Sequence, residues 1–336
     1  MRRLRCGLGL LLWSCLVSFG QEPPGAEYRQ ALKQAEDLRA RGDLEGVVRA
    51  LLPWAEKYPD RAEAQHGLGL AYFQRNDFAG AIRHLSIALK LDPARQQTLE
   101  SLAMAYYFSN RSADALPLLR QAAAKNPGDT YFGYALAMTH VYAHDWDAAR
   151  RMLAQLFDIP PDSPEALVLT SDFLVREKFT AEAEKLLLGA LKKRPDLPDI
   201  NYRLALIALT NGAQPEALLY LKKQVAAHPA HPMAWHYLGY IYTRQGKLDE
   251  AIRCLQRSIW LNLRSTESYI LIAEAYTQQG KHVEAEQALQ RALELAPQNY
   301  EAHFLLARIY HKTNRPELAK REMAIADKLR ASEPRP

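Results

Sequence analysis

Residues 232–265 read PMAWHYLGYIYTRQGKLDEAIRCLQRSIWLNLRS, and these 34 letters decide the fold. Trp235, Leu238, Gly239 and Tyr242 fall three and four apart, on one face of a helix. Gly246 interrupts the pattern, and Ala251 and Leu255 resume it on one face of a second helix. A step of 34 residues in either direction meets the same pattern again. Pro59, Pro93, Pro127, Pro161, Pro195, Pro229 and Pro297 are each 34 from the next except for one double step, where Leu263 stands instead. Such a fixed period marks a repeat protein, in which each unit buries its apolar face against its neighbours.

Written in rows of 34 from Tyr28, the chain fills nine rows to Glu333 without an insertion. Column 8 is small throughout: Ala35, Gly69, Ala103, Ala137, Ser171, Ala205, Gly239, Ala273 and Ala307. Column 20 is Val47 and then alanine from Ala81 to Ala319, and column 24 is leucine from Leu51 to Leu289 and then Met323. Columns 4, 7, 8 and 11 share a face of the first helix, and columns 20, 24 and 27 a face of the second. Small residues at 8 and 20 let the two backbones approach closely. Column 15 is the turn, with Gly42, Asn76, Asn110, Gly212, Gly246, Gly280 and Asn314, and with His144 and Lys178 as exceptions. Glycine and asparagine enter the left-handed region at little cost, so a helix stops there. Asp43, Asp77 and Asp145 follow as caps of the second helix, and the recurrent proline closes it.

This array resembles the tetratricopeptide repeat, a helix–turn–helix unit with small residues at 8 and 20, a large one at 24 and a proline at 32. The resemblance covers 306 of 336 residues. It implies an all-α, right-handed superhelical solenoid of nine helix–turn–helix repeats over 28–333. Before it come a leader at 1–20 and a linker at 21–27, and after it a tail at 334–336. Repeat 5 departs most, with Thr170 and Ser171 at columns 7 and 8. Repeat 1 is charged along its first helix, as a terminal capping unit should be.

Met1 to Gly20 read as a bacterial-type secretory leader, with Arg2, Arg3 and Arg5 before an apolar stretch and Ser18-Phe19-Gly20 before Gln21. Cleavage at Gln21 predicts an exported protein, periplasmic or secreted, without a membrane span in the mature chain. Lipidation at Cys15 and retention as an N-terminal anchor are the alternatives. Cys254 is then alone in the mature chain, which excludes an internal disulfide. The formal charge of +5 falls to +2 without the leader arginines, and no basic run follows the repeats, so nucleic acid is not an expected partner.

No phosphate loop, nucleophile elbow, His-Glu-x-x-His or Cys-x-x-Cys is present, and the repeats leave no room for a catalytic domain. No enzyme activity, cofactor or metal is expected. His228, His231 and His236 lie close together but read as surface histidines, and Arg41-Gly42-Asp43 as turn and cap.

Columns 2, 5, 9, 12 and 13 lie roughly opposite the packing stripe of the first helix, at ~100° per residue. The resemblance places this face along the concave groove. In the middle of the array it is aromatic and apolar: Met104, Tyr107 and Phe108 in repeat 3, Tyr131, Tyr134, Met138 and Tyr142 in repeat 4, then Tyr202, His236 and Tyr240. Packing between adjacent first helices accounts for columns 9 and 12. Three tyrosines on one helix, whose hydroxyls want water or a partner, point to binding. The expected ligand is an extended or helical segment of a partner protein. A carbohydrate or peptidoglycan ligand, or an assembly role in polysaccharide export, is the alternative. The carboxylate-clamp pattern of chaperone-binding relatives is absent.

Overall fold

The computed structural model describes residues 25–125 and 129–332; the leader, its two cysteines, Pro127 and the tail lie outside them. Among the described residues, eighteen α-helices follow one another without a strand. The first helix of each repeat (helix A) runs from column 1 to column 13 in seven cases. These are Ala62–Gln74, Gln96–Phe108, Thr130–Tyr142, Pro164–Arg176, Pro232–Arg244, Thr266–Gln278 and Tyr300–Lys312. Ala26–Ala40 starts early. Ile200–Thr210 starts late, because Asp199 ahead of it sits at φ 62°.

The second helix (helix B) starts at column 17 in all nine repeats: Leu44–Lys57, Phe78–Leu91, Ser112–Lys125, Trp146–Leu156, Thr180–Lys193, Gln214–Ala227, Leu248–Leu261, His282–Leu295 and Pro316–Ser332. The turn explains this constancy. Column 15 has positive φ in every repeat, from 55° at Asn110 to 78° at Gly42, including His144 at 58° and Lys178 at 67°. The N–H of column 16 then reaches back to the carbonyl of column 11, as in Asp77 to Tyr72 at 2.9 Å and Phe179 to Leu174 at 2.8 Å. That six-residue closure satisfies a carbonyl that the helix end would otherwise leave open. Asp43, Asp77 and Asp145 cap the following helices through Gly46, Gly80 and Ala148.

Column 24 leucine rests on column 8: a Cβ on Gly69 would collide with Leu85, and one on Gly239 with Leu255. Columns 3 and 10 form a second packing face that the periodicity did not single out. Column 3 is buried in repeats 2 to 9, from Ala64 and Thr98 to Ser268 and Ala302. Column 10 is buried in all of these except repeat 5, as at Ala71, Ala105, Ile241 and Ile309. In repeat 1 these columns hold Gln30 and Asp37, both exposed.

The chain divides into two compact units, one ending at Met152 and one starting at Leu153. The division falls inside helix B of repeat 4, which has eleven residues where the other internal B helices have fourteen. Just past its end, Asp158 takes φ 52°. Among the described residues no helix is long and apolar enough to cross a membrane.

Candidate partner-binding face

The ten residues expected on the groove separate into three groups. Tyr131 and Tyr134, on helix A of repeat 4, are 51% and 37% exposed, and Phe108, at the end of helix A of repeat 3, is 46% exposed. Tyr107, Tyr142, Tyr202, His236 and Tyr240 are half-buried. Met104 and Met138 are only 3% and 1% exposed, so both leave the groove and join the packing. The reason is geometric. Column 9 lies beside column 8 at the seam between repeats, and in repeats 3 and 4 the long methionine chains fill that seam. Met104 packs in one apolar cluster with Leu99, Leu119, Phe132 and Leu136.

In the first unit the structure brings the repeat 3 and 4 aromatics into a chain of contacts. Tyr107 lies edge-on to Phe108 with centroids 5.3 Å apart, and 6.5 Å from Tyr142. Phe108 stacks on Phe78 at 5.3 Å and lies 6.2 Å from Phe73. Tyr131 meets Phe132 at 5.4 Å. Partial burial and the Asp129 carboxylate raise the Tyr131 hydroxyl above the usual tyrosine range.

In the second unit, Tyr202 sits 4.5 Å from the His231 ring and 6.1 Å from Tyr237. Burial pushes its hydroxyl up to about 12. Tyr237 also meets His236, at 5.3 Å. Tyr237 occupies column 6 and so lay off the face that the periodicity defined. His236 Nδ1 lies 2.9 Å from Ser268 Oγ of the next repeat. The same clasp recurs 170 residues earlier, where His66 Nδ1 lies 2.8 Å from Thr98 Oγ1. Column 5 thus serves as an inter-repeat tie at both histidines, and burial lowers the pKa of each. Tyr240 lies under the Arg244 guanidinium, 5.4 Å from its ring centre.

His231, in the loop before repeat 7, is structural. His231 Nδ1 accepts from Ala234 N–H at 3.0 Å and so caps helix A of repeat 7. Among the described residues no three His, Cys, Asp or Glu side chains come together as a metal site would require. Cys254 is buried, which pushes its thiol up to about 11, away from reactivity.

Comparison with known proteins agrees with this architecture. The family described as the Cilia and flagella-associated protein 70 C-terminal domain matches residues 134–335, and two tetratricopeptide repeat families match residues 62–95 and 96–121. No curated protein matches the sequence. Among solved structures, MamA 41-end from Desulfovibrio magneticus RS-1 is 18% identical with a TM-score of 0.49, over 52% of this chain and 98% of that one. YrrB, described as a TPR protein with an unusual peptide-binding site, is 17% identical with a TM-score of 0.46, over 51% of this chain and 89% of its own. The Cut9–Hcn1 hetero-tetramer of the APC/C is 16% identical with a TM-score of 0.48, over 91% of this chain and 60% of that one. At these scores the structural likenesses carry nothing about partner or activity.

Proposed function

The chain belongs to the tetratricopeptide-repeat family described as the Cilia and flagella-associated protein 70 C-terminal domain, and on that premise we propose that it is a non-enzymatic scaffold for protein–protein interaction. It holds an extended or helical segment of a partner against the A-helix aromatics, and the leader read in residues 1–20 sends it out of the cytoplasm.

One observation carries this reading: the exposed rings of Phe108, Tyr131 and Tyr134 on the A helices of repeats 3 and 4. Three exposed rings on two neighbouring A helices form a patch that a partner can bury, and aromatic side chains dominate the energetics of interfaces. Tyrosine adds a hydroxyl that fixes the direction of a bound main chain.

The test is selection of peptides from a displayed random library on the immobilised mature chain. Peptides should be enriched, and the Tyr131→Ala/Tyr134→Ala variant should lose at least tenfold in affinity for them, about 1.4 kcal/mol. Its melting temperature should stay within a few degrees, since neither side chain is buried. Failure to enrich any peptide, or undiminished binding by the double variant, overturns the assignment. Tyr131-dependent binding to a glycan array in place of peptides would move the function to carbohydrate recognition.

A further inference from the structure

The array has a recurrent slot between consecutive repeats, lined by columns 8, 9, 12, 15, 17 and 24 of one repeat and columns 6, 9, 10 and 13 of the next. Between repeats 2 and 3 the chain fills it. Column 12 is Phe73, column 17 is Phe78 and the following column 13 is Phe108. The three rings lean on one another with centroids 5.3 to 6.2 Å apart, beside buried Leu70 and Met104.

Between repeats 5 and 6 the same columns hold different residues, each 102 positions on. Val175, Thr180 and Thr210 replace the three phenylalanines, and Asp172 replaces Leu70. The slot is a cavity of ≈ 580 Å³ there, lined by Val175, Leu187, Leu206 and Ile207 among others. That volume lies within the ~300–1,000 Å³ typical of ligand sites. Its wall carries an ion pair, Arg203 Nη1 donating to Asp172 Oδ1 at 2.6 Å. Arg203 Nε is buried without a hydrogen-bond partner among the described residues. A buried guanidinium N–H left unmet costs free energy that an incoming acceptor recovers.

We propose that the repeat 5/6 slot is a specificity pocket for a phenylalanine-sized side chain of a bound peptide, with an adjacent acceptor (a main-chain carbonyl or a carboxylate) taken by Arg203 Nε. The molecule itself shows what fits: benzyl rings occupy the register-equivalent slot between repeats 2 and 3. The apolar walls at Val175, Leu187, Leu206 and Ile207 suit the ring, and the orphan donor fixes its polar neighbour. The pocket deepens the peptide-scaffold reading and rests on it. It involves none of the exposed tyrosines that carry that reading, so the two stand or fall on different residues.

The probe is N-acetyl-L-phenylalanine, which supplies ring and carboxylate, with N-acetyl-L-alanine as the control. Both are titrated into methyl-labelled mature chain and followed by NMR. The methyls of Leu206 and Ile207 should shift saturably with the phenylalanine derivative and remain still with the alanine one. The Val175→Phe/Thr210→Phe variant, which restores two of the plugs of the filled slot, should weaken this binding at least tenfold. Arg203→Lys, which keeps the charge and loses Nε–H, should weaken it several-fold. If the double variant folds poorly by circular dichroism, Thr210→Phe alone, at an exposed rim position, decides. An absence of saturable shifts at Leu206 and Ile207, or binding that survives the plug, overturns the pocket. Either result leaves the scaffold reading to its own test on Tyr131 and Tyr134.

Discussion

The repeat 2/3 and repeat 5/6 slots have one backbone register and opposite contents. In the first, Phe73, Phe78 and Phe108 close the space between helices, with Leu70 and Met104 buried alongside. In the second, Val175, Thr180 and Thr210 leave it open, and an Asp172–Arg203 pair borders it. The turn is alike at both, down to the left-handed residue, Asn76 at φ 60° and Lys178 at φ 67°, and the helix boundaries differ only in helix A of repeat 6, which starts two residues late at Ile200. A repeat fold therefore sets where a pocket can lie, and side-chain volume at three columns decides whether one is there. Interiors pack densely wherever the sequence supplies the volume, so an unfilled position in a repeating lattice is informative.

The largest expected effect tests the slots through the leucine each one shares. Leu85 and Leu187 both occupy column 24 and both are almost fully buried, but Leu187 borders the cavity. Leu85→Ala should cost about 3–4 kcal/mol in urea denaturation, and Leu187→Ala roughly 1 kcal/mol less, because part of its surroundings is already empty. Equal costs would break the comparison, since they would require the repeat 5/6 slot to be packed in solution.

A smaller effect comes from opening the closed slot. Phe78→Thr/Phe108→Thr should destabilise by about 2 kcal/mol, below the value for fully buried rings because Phe108 is half exposed. It should also create a response to N-acetyl-L-phenylalanine at the methyls of Leu70 and Met104. A destabilised variant without that response would mean that ring volume alone does not define the slot.

The smallest concerns the column 5 ties, one in each unit. His66 and His236 both have lowered pKa values, chiefly from burial, with the Arg95 charge adding to the effect at His66 and Glu267 opposing it at His236. A histidine depressed in the folded state contributes fully above its unfolded pKa of about 6.5, and that contribution is lost as pH falls through the folded pKa. These two sites should therefore lower the melting temperature as pH falls from 7.5 to 5. His66→Asn/His236→Asn should flatten that decline at some cost in stability at neutral pH. Each single variant should remove part of the decline. An unchanged pH slope in the double variant would remove the ties from the account.

Much of this was legible in the chain. The small residues at columns 8 and 20 and the glycine or asparagine at column 15 fixed the helix pairs, because each answers a local demand of close approach or positive φ. Even His144 and Lys178, which break the residue preference, keep the left-handed backbone, since the closing bond from column 16 to column 11 requires it. Columns 3 and 10 were not legible as a packing face. Alanine, threonine or isoleucine there looks like ordinary helix interior until the preceding repeat is laid against it.

The candidate face was half legible. Tyr131, Tyr134 and Phe108 stand out in water as their columns predicted, while Met104 and Met138, also predicted there, are buried at the seam between repeats. Both methionines stand at column 9, which packing between adjacent first helices claims, whereas the three exposed rings stand at columns 2, 5 and 13. By itself the sequence determined the period, the turn and the face of each helix that meets its own partner, because these follow from contacts a few residues apart. Only the tertiary structure decided that methionines close one seam, phenylalanines another, and that the seam between repeats 5 and 6 stays open. Those contacts join residues about 30 positions apart, and their outcome depends on summed side-chain volume across two repeats, which no column carries alone.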